Sequence, residues 1–114
     1  MKEQAIGYKT YRELLDDFVS LVQEALGNDV ISIVLYGSVA RDAAGPESDV
    51  DVLLVLEEAH PVYRERLRSV LPVLRHLRRQ PCWKELEAGG VFPSLSVIVY
   101  SREEASQHRH LYLD

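Results

Sequence analysis

Cysteine is nearly absent from this chain: Cys82 stands alone. One thiol closes no internal disulfide and builds no cysteine-rich metal site, so Cys82 reads as a small buried hydrophobe. Long apolar runs are missing too. No stretch approaches the roughly 20 residues of a membrane span, and the opening MKEQAIGYKT has no apolar core of signal-peptide length. A cytoplasmic setting with no membrane contact is the expectation. There is no basic excess either. Against 18 acids the chain sets 13 Lys and Arg, a net charge of −5 that argues against wholesale coating of nucleic acid. Repeats, low-complexity tracts and linkers are also lacking. The 114 residues, 46% of them hydrophobic, suffice for one core and not for two, so a single domain over 1–114 is expected.

What is present alternates between two periods. Thr10 and Glu13 have capping-box spacing, and Leu14, Leu15, Phe18, Val19, Leu21, Val22, Ala25 and Leu26 recur at helical period, predicting a helix over 10–26 that ends at Gly27. Val30–Tyr36 is apolar and β-branched enough for a central strand, stopped by Gly37-Ser38. A short helix over 39–44 breaks at Gly45-Pro46, and Val50–Leu56 is a second strand. Helical period returns over 61–79, with Val62, Tyr63, Leu67, Val70, Leu71, Val73, Leu74 and Leu77 on one side and Pro72 expected to kink or split it. Pro81 suits the first turn of a helix that Gly89-Gly90 ends. A third strand follows over 95–100, and Ser101 and Glu104 repeat the capping-box spacing before the tail HLYLD. Alternating helices and strands predict an α/β domain on a small sheet, with strand directions open.

The chemistry concentrates in LYGSVARDAAGPESDVDVLLVL, residues 35–56. Residues two apart on a strand share a face, so Asp49 and Asp51 bring two carboxylates to one spot. Left alone they repel, and one holds its proton. A hard divalent cation removes the conflict, and magnesium favours one or two carboxylates completed by water and substrate phosphates. Ser38 stands where a strand ends and a helix begins, a place whose free N–H groups attract phosphate, and Gly37 lets the phosphate approach the backbone. Side by side, an anion site and a metal site imply a metal-bound polyphosphate. Asp-Val-Asp as an edge-strand solubility device is the bland alternative.

Gly37-Ser38, then ten residues, then Asp49-Val50-Asp51 at a strand start resembles the signature of the polymerase-β-type nucleotidyltransferase superfamily. The likeness is closest to its minimal bacterial and archaeal members, in which Gly-Ser, any residue, Ala-Arg, a short loop and Ser-Asp, any residue, Asp precede an apolar strand. Ser38, Ala40, Arg41, Ser48, Asp49 and Asp51 all stand in place. The resemblance implies a mixed sheet of three to four strands flanked by helices. It implies two magnesium ions on Asp49 and Asp51, and NTP phosphates at Gly37 and Ser38 with Arg41 and Ser48 beside them. It also implies transfer of a nucleoside monophosphate, with ATP the expected donor, to an acceptor hydroxyl with release of pyrophosphate. Two metals would stabilise both oxygens of an in-line displacement, leaving the protein to position groups.

One position departs from the family. Active members carry a third carboxylate on the later strand, and here Ser96 is its expected occupant. Serine is no base near neutral pH. Two functions therefore stay open: a metal-dependent transferase, or a non-catalytic nucleotide-binding or antitoxin-like module that works on a partner protein. A second domain shapes the acceptor site in the superfamily, so a partner protein, a second copy or residues beyond 114 are expected to complete it. Glu103 and Glu104 are expected as a helix cap, and His108 and His110 as tail residues and not a metal cluster. Arg64, Arg68, Arg75, Arg78 and Arg79 fall in one sector of about 100° if their helix continues past Pro72. They form either a solvated face or a contact surface for RNA or an acidic protein.

Overall fold

Tyr8–Leu26 winds into the first helix, α1, of the computed structural model, which describes residues 6–107. Its buried stripe, Tyr11, Leu14, Leu15, Phe18 and Val22, follows the helical period. The start differs from the expected capping box, because Gly7 is the N-cap and the helix begins before Thr10. A distant residue does the capping: the Asp42 carboxylate accepts the Tyr8 N–H at 3.2 Å. A Cβ at Gly7 would overlap that carboxylate, so glycine is required there. Gly27, at φ +47°, closes the other end as expected.

Strand β1 is Val30–Tyr36, β2 is Val50–Leu56 and β3 is Leu95–Ser101. The sheet runs in the order β1-β2-β3, with β1 antiparallel and β3 parallel to β2. This corrects one expectation: β1 is an edge and β2 is central. The burial agrees, since every β2 residue except Asp51 is buried while no β1 residue is, Ile31 and Ser32 being exposed and the rest half-buried. Three strands form the sheet among the described residues, within the expected three to four.

Each face of the sheet has its own partners. Val50, Val52, Leu54 and Leu56 point into the main core with α1 and the later helices, while Leu53 and Val55 face the other way and pack against Ala105. Helix α2 is the short Gly37–Ala40, not 39–44, because Gly37 already turns at φ +78° and Arg41 and Asp42 leave helical geometry. Helix α3, Tyr63–Arg78, is one helix with Pro72 inside it and not two. Burial of Val70, Val73 and Leu77 along one stripe holds it together across the missing N–H, and Arg68, whose carbonyl loses that bond, is exposed. Three residues expected on its apolar side, Val62, Tyr63 and Leu71, are exposed. The buried face is narrower than the apolar pattern, and Arg66 lies within it. Helix α4, Pro81–Ala88, begins at its proline as expected. Cys82 is buried and donates its thiol to Asp17 Oδ2 at 3.1 Å, and burial, reinforced by that carboxylate, pushes its pKa to about 11.

Helix α5, Arg102–Gln107, starts with the expected capping box: Ser101 N–H donates to Glu104 Oε1 at 2.9 Å, and Glu104 N–H to Ser101 Oγ at 3.2 Å. His108, His110 and the tail lie outside the described residues. The Arg66 guanidinium holds the Glu104 carboxyl below its ordinary value near 4.5, with the Ser101 amide helping. A depressed carboxylate stabilises the fold above its unfolded value and loses that contribution as pH falls through its folded value. Urea denaturation of the protein and of Glu104→Gln should therefore show the native chain more stable at pH 7, with the gap closing below about pH 4.5. A gap that does not change with pH would mean that the pair contributes nothing by its charge.

Candidate functional site

Register places the site. Tyr36 on β1 pairs with Asp51 on β2, and Asp51 pairs with Ser96 on β3. Directly paired residues project to one side of a sheet, so the three form a row across it on the face away from the main core. The same sheet end carries the Tyr36-Gly37 turn and the entry to β2, because antiparallel β1 finishes where β2 begins.

Gly37 presses against Asp51. A Cβ on Gly37 would overlap Asp51 Oδ2 and lie 3.1 Å from Cγ, and the backbone there has φ +78°. Both the contact and the dihedral exclude a side chain, so the turn and the carboxylate are built against each other. Asp49, exposed in the residue before β2, adds its charge. Burial first, and then the Asp49 carboxylate, push the Asp51 pKa up, while Arg41 opposes them. Among the described residues neither aspartate has an ion-pair partner within 4.0 Å. The site thus carries uncompensated negative charge, the condition in which a bound cation gains most.

The remaining expected residues divide. Arg41 is exposed and its charge reaches Asp51. Ser38 is half-buried in α2, with its carbonyl accepting the Ala43 N–H at 2.8 Å. The Ser48 hydroxyl accepts the Gly45 N–H at 2.9 Å and so braces the turn before Asp49. Ser96 is exposed beside Asp51, on the later strand where the family resemblance expects a third carboxylate. No cluster of three or more acidic, His or Cys residues able to hold a metal exists among the described residues. Glu104 is committed elsewhere, 2.7 Å from Arg66.

Sequence reading missed two groups. Tyr36 joins the row, and burial followed by the Asp51 charge raises its pKa. Its signal was available, since Tyr36 ends the strand beside Gly37. The second group is the Asp42 cap, which ties the loop after α2 to the start of α1; Asp42 sits at φ +55°, which spacing does not reveal.

A two-faced mixed sheet flanked by helices, with Gly37 seated against Asp51 at its open end, is the architecture expected of a nucleotidyltransferase domain. The chain belongs to the nucleotidyltransferase domain family, whose model matches residues 12–108. It is similar to a protein of Methanocaldococcus jannaschii named "Putative protein adenylyltransferase MJ1305", with 43% identity over 47 residues, 41% of this chain and 32% of that protein. The match spans about a third of that relative's length. No solved structure matches significantly. No helix among the described residues is long and apolar enough to cross a membrane.

Proposed function

We propose that this domain transfers a nucleoside monophosphate, AMP from ATP, to an acceptor hydroxyl with release of pyrophosphate. The observation that carries the reading is the contact between Gly37 and Asp51 with Asp49 beside them: it sets the strand-to-helix turn against two carboxylates short of positive charge. Two carboxylates with no third acid suit magnesium, which takes few protein ligands and completes its shell with water and phosphate oxygens. Asp49 and Asp51 would hold it. When bound, it would neutralise charge on the phosphates and on the oxygens that attack and leave.

The chain's own residues do the positioning. Gly37 and Ser38 offer backbone and hydroxyl donors to the terminal phosphates, and Arg41 adds a cation that also moderates Asp51. Ser48, braced against Gly45, aims Asp49. The acceptor oxygen approaches on the open face beside Ser96, where serine can donate or accept a hydrogen bond but does not remove a proton near neutral pH. The acceptor, or one wall of its site, comes from a partner protein, a second copy or residues beyond 114.

Ser96 also favours a second reading, a nucleotide-binding or antitoxin-like module without transfer. Incubation with labelled ATP, magnesium and cell lysate separates the two. Label transfer that disappears in Asp49→Ala supports the transferase; absence of transfer beside retained ATP binding supports the module.

Both readings share one expectation. Magnesium should raise the melting temperature, and magnesium with ATP should raise it further, because a ligand at 100 times its Kd adds about 2.7 kcal/mol to the folded state. Differential scanning fluorimetry reads this directly. No shift with either ligand at millimolar concentration would count heavily against the metal-binding role of the aspartates.

A further inference from the structure

The largest exposure of any bulky apolar side chain described belongs to Phe92, at 56%. Exposed aromatics cost solvation, and this one is held in place: its N–H donates to the Pro46 carbonyl at 3.3 Å, joining the loop before β3 to the loop before β2. Between these loops lies a groove of about 500 Å³ lined by Gly45, Pro46, Glu47, Ser48, Gly90 and Phe92. That volume falls within the roughly 300–1,000 Å³ of small-molecule sites. Ser48, which lines the groove, is the chain neighbour of Asp49, so the groove lies close to the carboxylates.

Burial also gives Phe92 a side. From 91 to 96 it alternates, with Val91, Pro93 and Leu95 turned inward and Phe92, Ser94 and Ser96 exposed. The alternation matches the two-residue period of β3, which begins at Leu95, and so argues for Phe92 on the side of Ser96, the partner of Asp51. Four residues of chain put Phe92 within about 13 Å of Ser96. An extended nucleotide whose phosphates lie at Asp51 carries its base over a comparable span. Gly90, at φ +90° with open space around its α-carbon, keeps the far wall of the groove clear.

We infer that Phe92 is the platform on which the nucleotide base stacks, with the base lying in the groove between Pro46 and Gly90. The inference rests on the phosphate-site reading above. A π-face accepts any base, and Glu47, which also lines the groove, offers a carboxylate to an exocyclic amino group. The occupant is a nucleobase, and the ring stack supplies binding that a bare polyphosphate does not have.

The test compares ATP with inorganic tripolyphosphate, both with magnesium, by isothermal titration of the full chain. Native protein should bind ATP more tightly. Phe92→Ala should weaken ATP about 10-fold, the size of one aromatic stack, while leaving tripolyphosphate unchanged. Phe92→Trp should restore ATP affinity, and its added fluorescence should quench with ATP and not with tripolyphosphate. Because the side chain is mostly exposed, both variants should melt as the native chain does. Unchanged ATP affinity in Phe92→Ala, with tripolyphosphate still binding, overturns the platform and leaves the phosphate site standing. Failure of the native chain to bind tripolyphosphate overturns the phosphate site and the platform together.

Discussion

Asp51→Asn is expected to lose at least about 100-fold in nucleotide transfer, since outer-shell partners of a metal alone are worth about 10–100-fold and Asp51 would be a direct ligand. The same variant should melt at a higher temperature than the native chain when metal is chelated. Both effects have one source. Asp51 is held with its pKa raised, by burial and then by Asp49, so its charge works against the fold. A raised carboxylate binds its proton more tightly folded than unfolded. Native stability therefore declines as pH climbs through the ordinary carboxylate value and settles at its lower level above the raised one. Asparagine, of the same shape and no charge, escapes that decline and still fits against Gly37. The gain should be present at pH 7, vanish near pH 3 and be outweighed by magnesium, which stabilises only the native chain. Transfer assays and chelated melting curves of the two proteins check it. An Asp51→Asn protein that transfers normally, or melts below the native chain without metal, would remove Asp51 from the site.

The largest effect on stability should come from Arg66→Ala. Arg66 is the only charged residue buried among those described, at 9% exposure. Its guanidinium donates to the carbonyls of His60 and Val99, the latter at 3.0 Å, and to Glu104 at 2.7 Å, and it lies 5.6 Å from the Tyr63 ring centre. Tyr63 completes the arrangement by accepting the Val99 N–H at 3.3 Å. Together the two α3 side chains occupy the outer edge of β3, which would otherwise be open to another strand. Removing one partner of such a buried pair costs about 3–5 kcal/mol. Glu104 is 36% exposed and water recovers part of the loss, so about 3 kcal/mol is expected here. That corresponds to a fall in melting temperature of roughly 10–15 °C for a domain of this size. Arg66→Lys should recover less than half, because one ammonium cannot reach three acceptors in the plane of a guanidinium. Calorimetry of the three proteins decides this, and an alanine variant within 1 °C of native, an arbitrary margin of roughly 0.2 kcal/mol, would mean that water replaces every contact.

The arginine sector on α3 proved to be exposed, with Arg68 beside Glu65 at 3.4 Å and Arg78 over the Trp83 ring at 5.8 Å. Two of the five thus have partners on the chain's own surface, one an acid of the same helix and the other a ring of α4, and neither is the acid of a neighbouring element that a solvated face was expected to pair with.

Local order was legible wherever it depends on neighbours in the chain. The bounds of Val30–Tyr36 and Val50–Leu56, the Pro81 helix start and the Ser101–Glu104 cap all follow from propensity and capping chemistry within a few residues. Two-residue spacing suggested that Asp49 and Asp51 meet, and although Asp49 stands one residue before β2 its charge does reach Asp51. Tertiary structure decided what depends on residues far apart in sequence. Thr10 was expected to cap α1, yet Asp42 does so from 34 positions away. Glu104 could have served as a distant acid for the site, yet Arg66, 38 positions away, takes its charge. The edge position of β1, the row from Tyr36 through Asp51 to Ser96 and the contact of Gly37 with the carboxylate arise from strand order and register. A hydrophobic pattern says which face of a strand is buried, but not which strand lies beside it; only the packing of all three around one core selects the order and brings those side chains together.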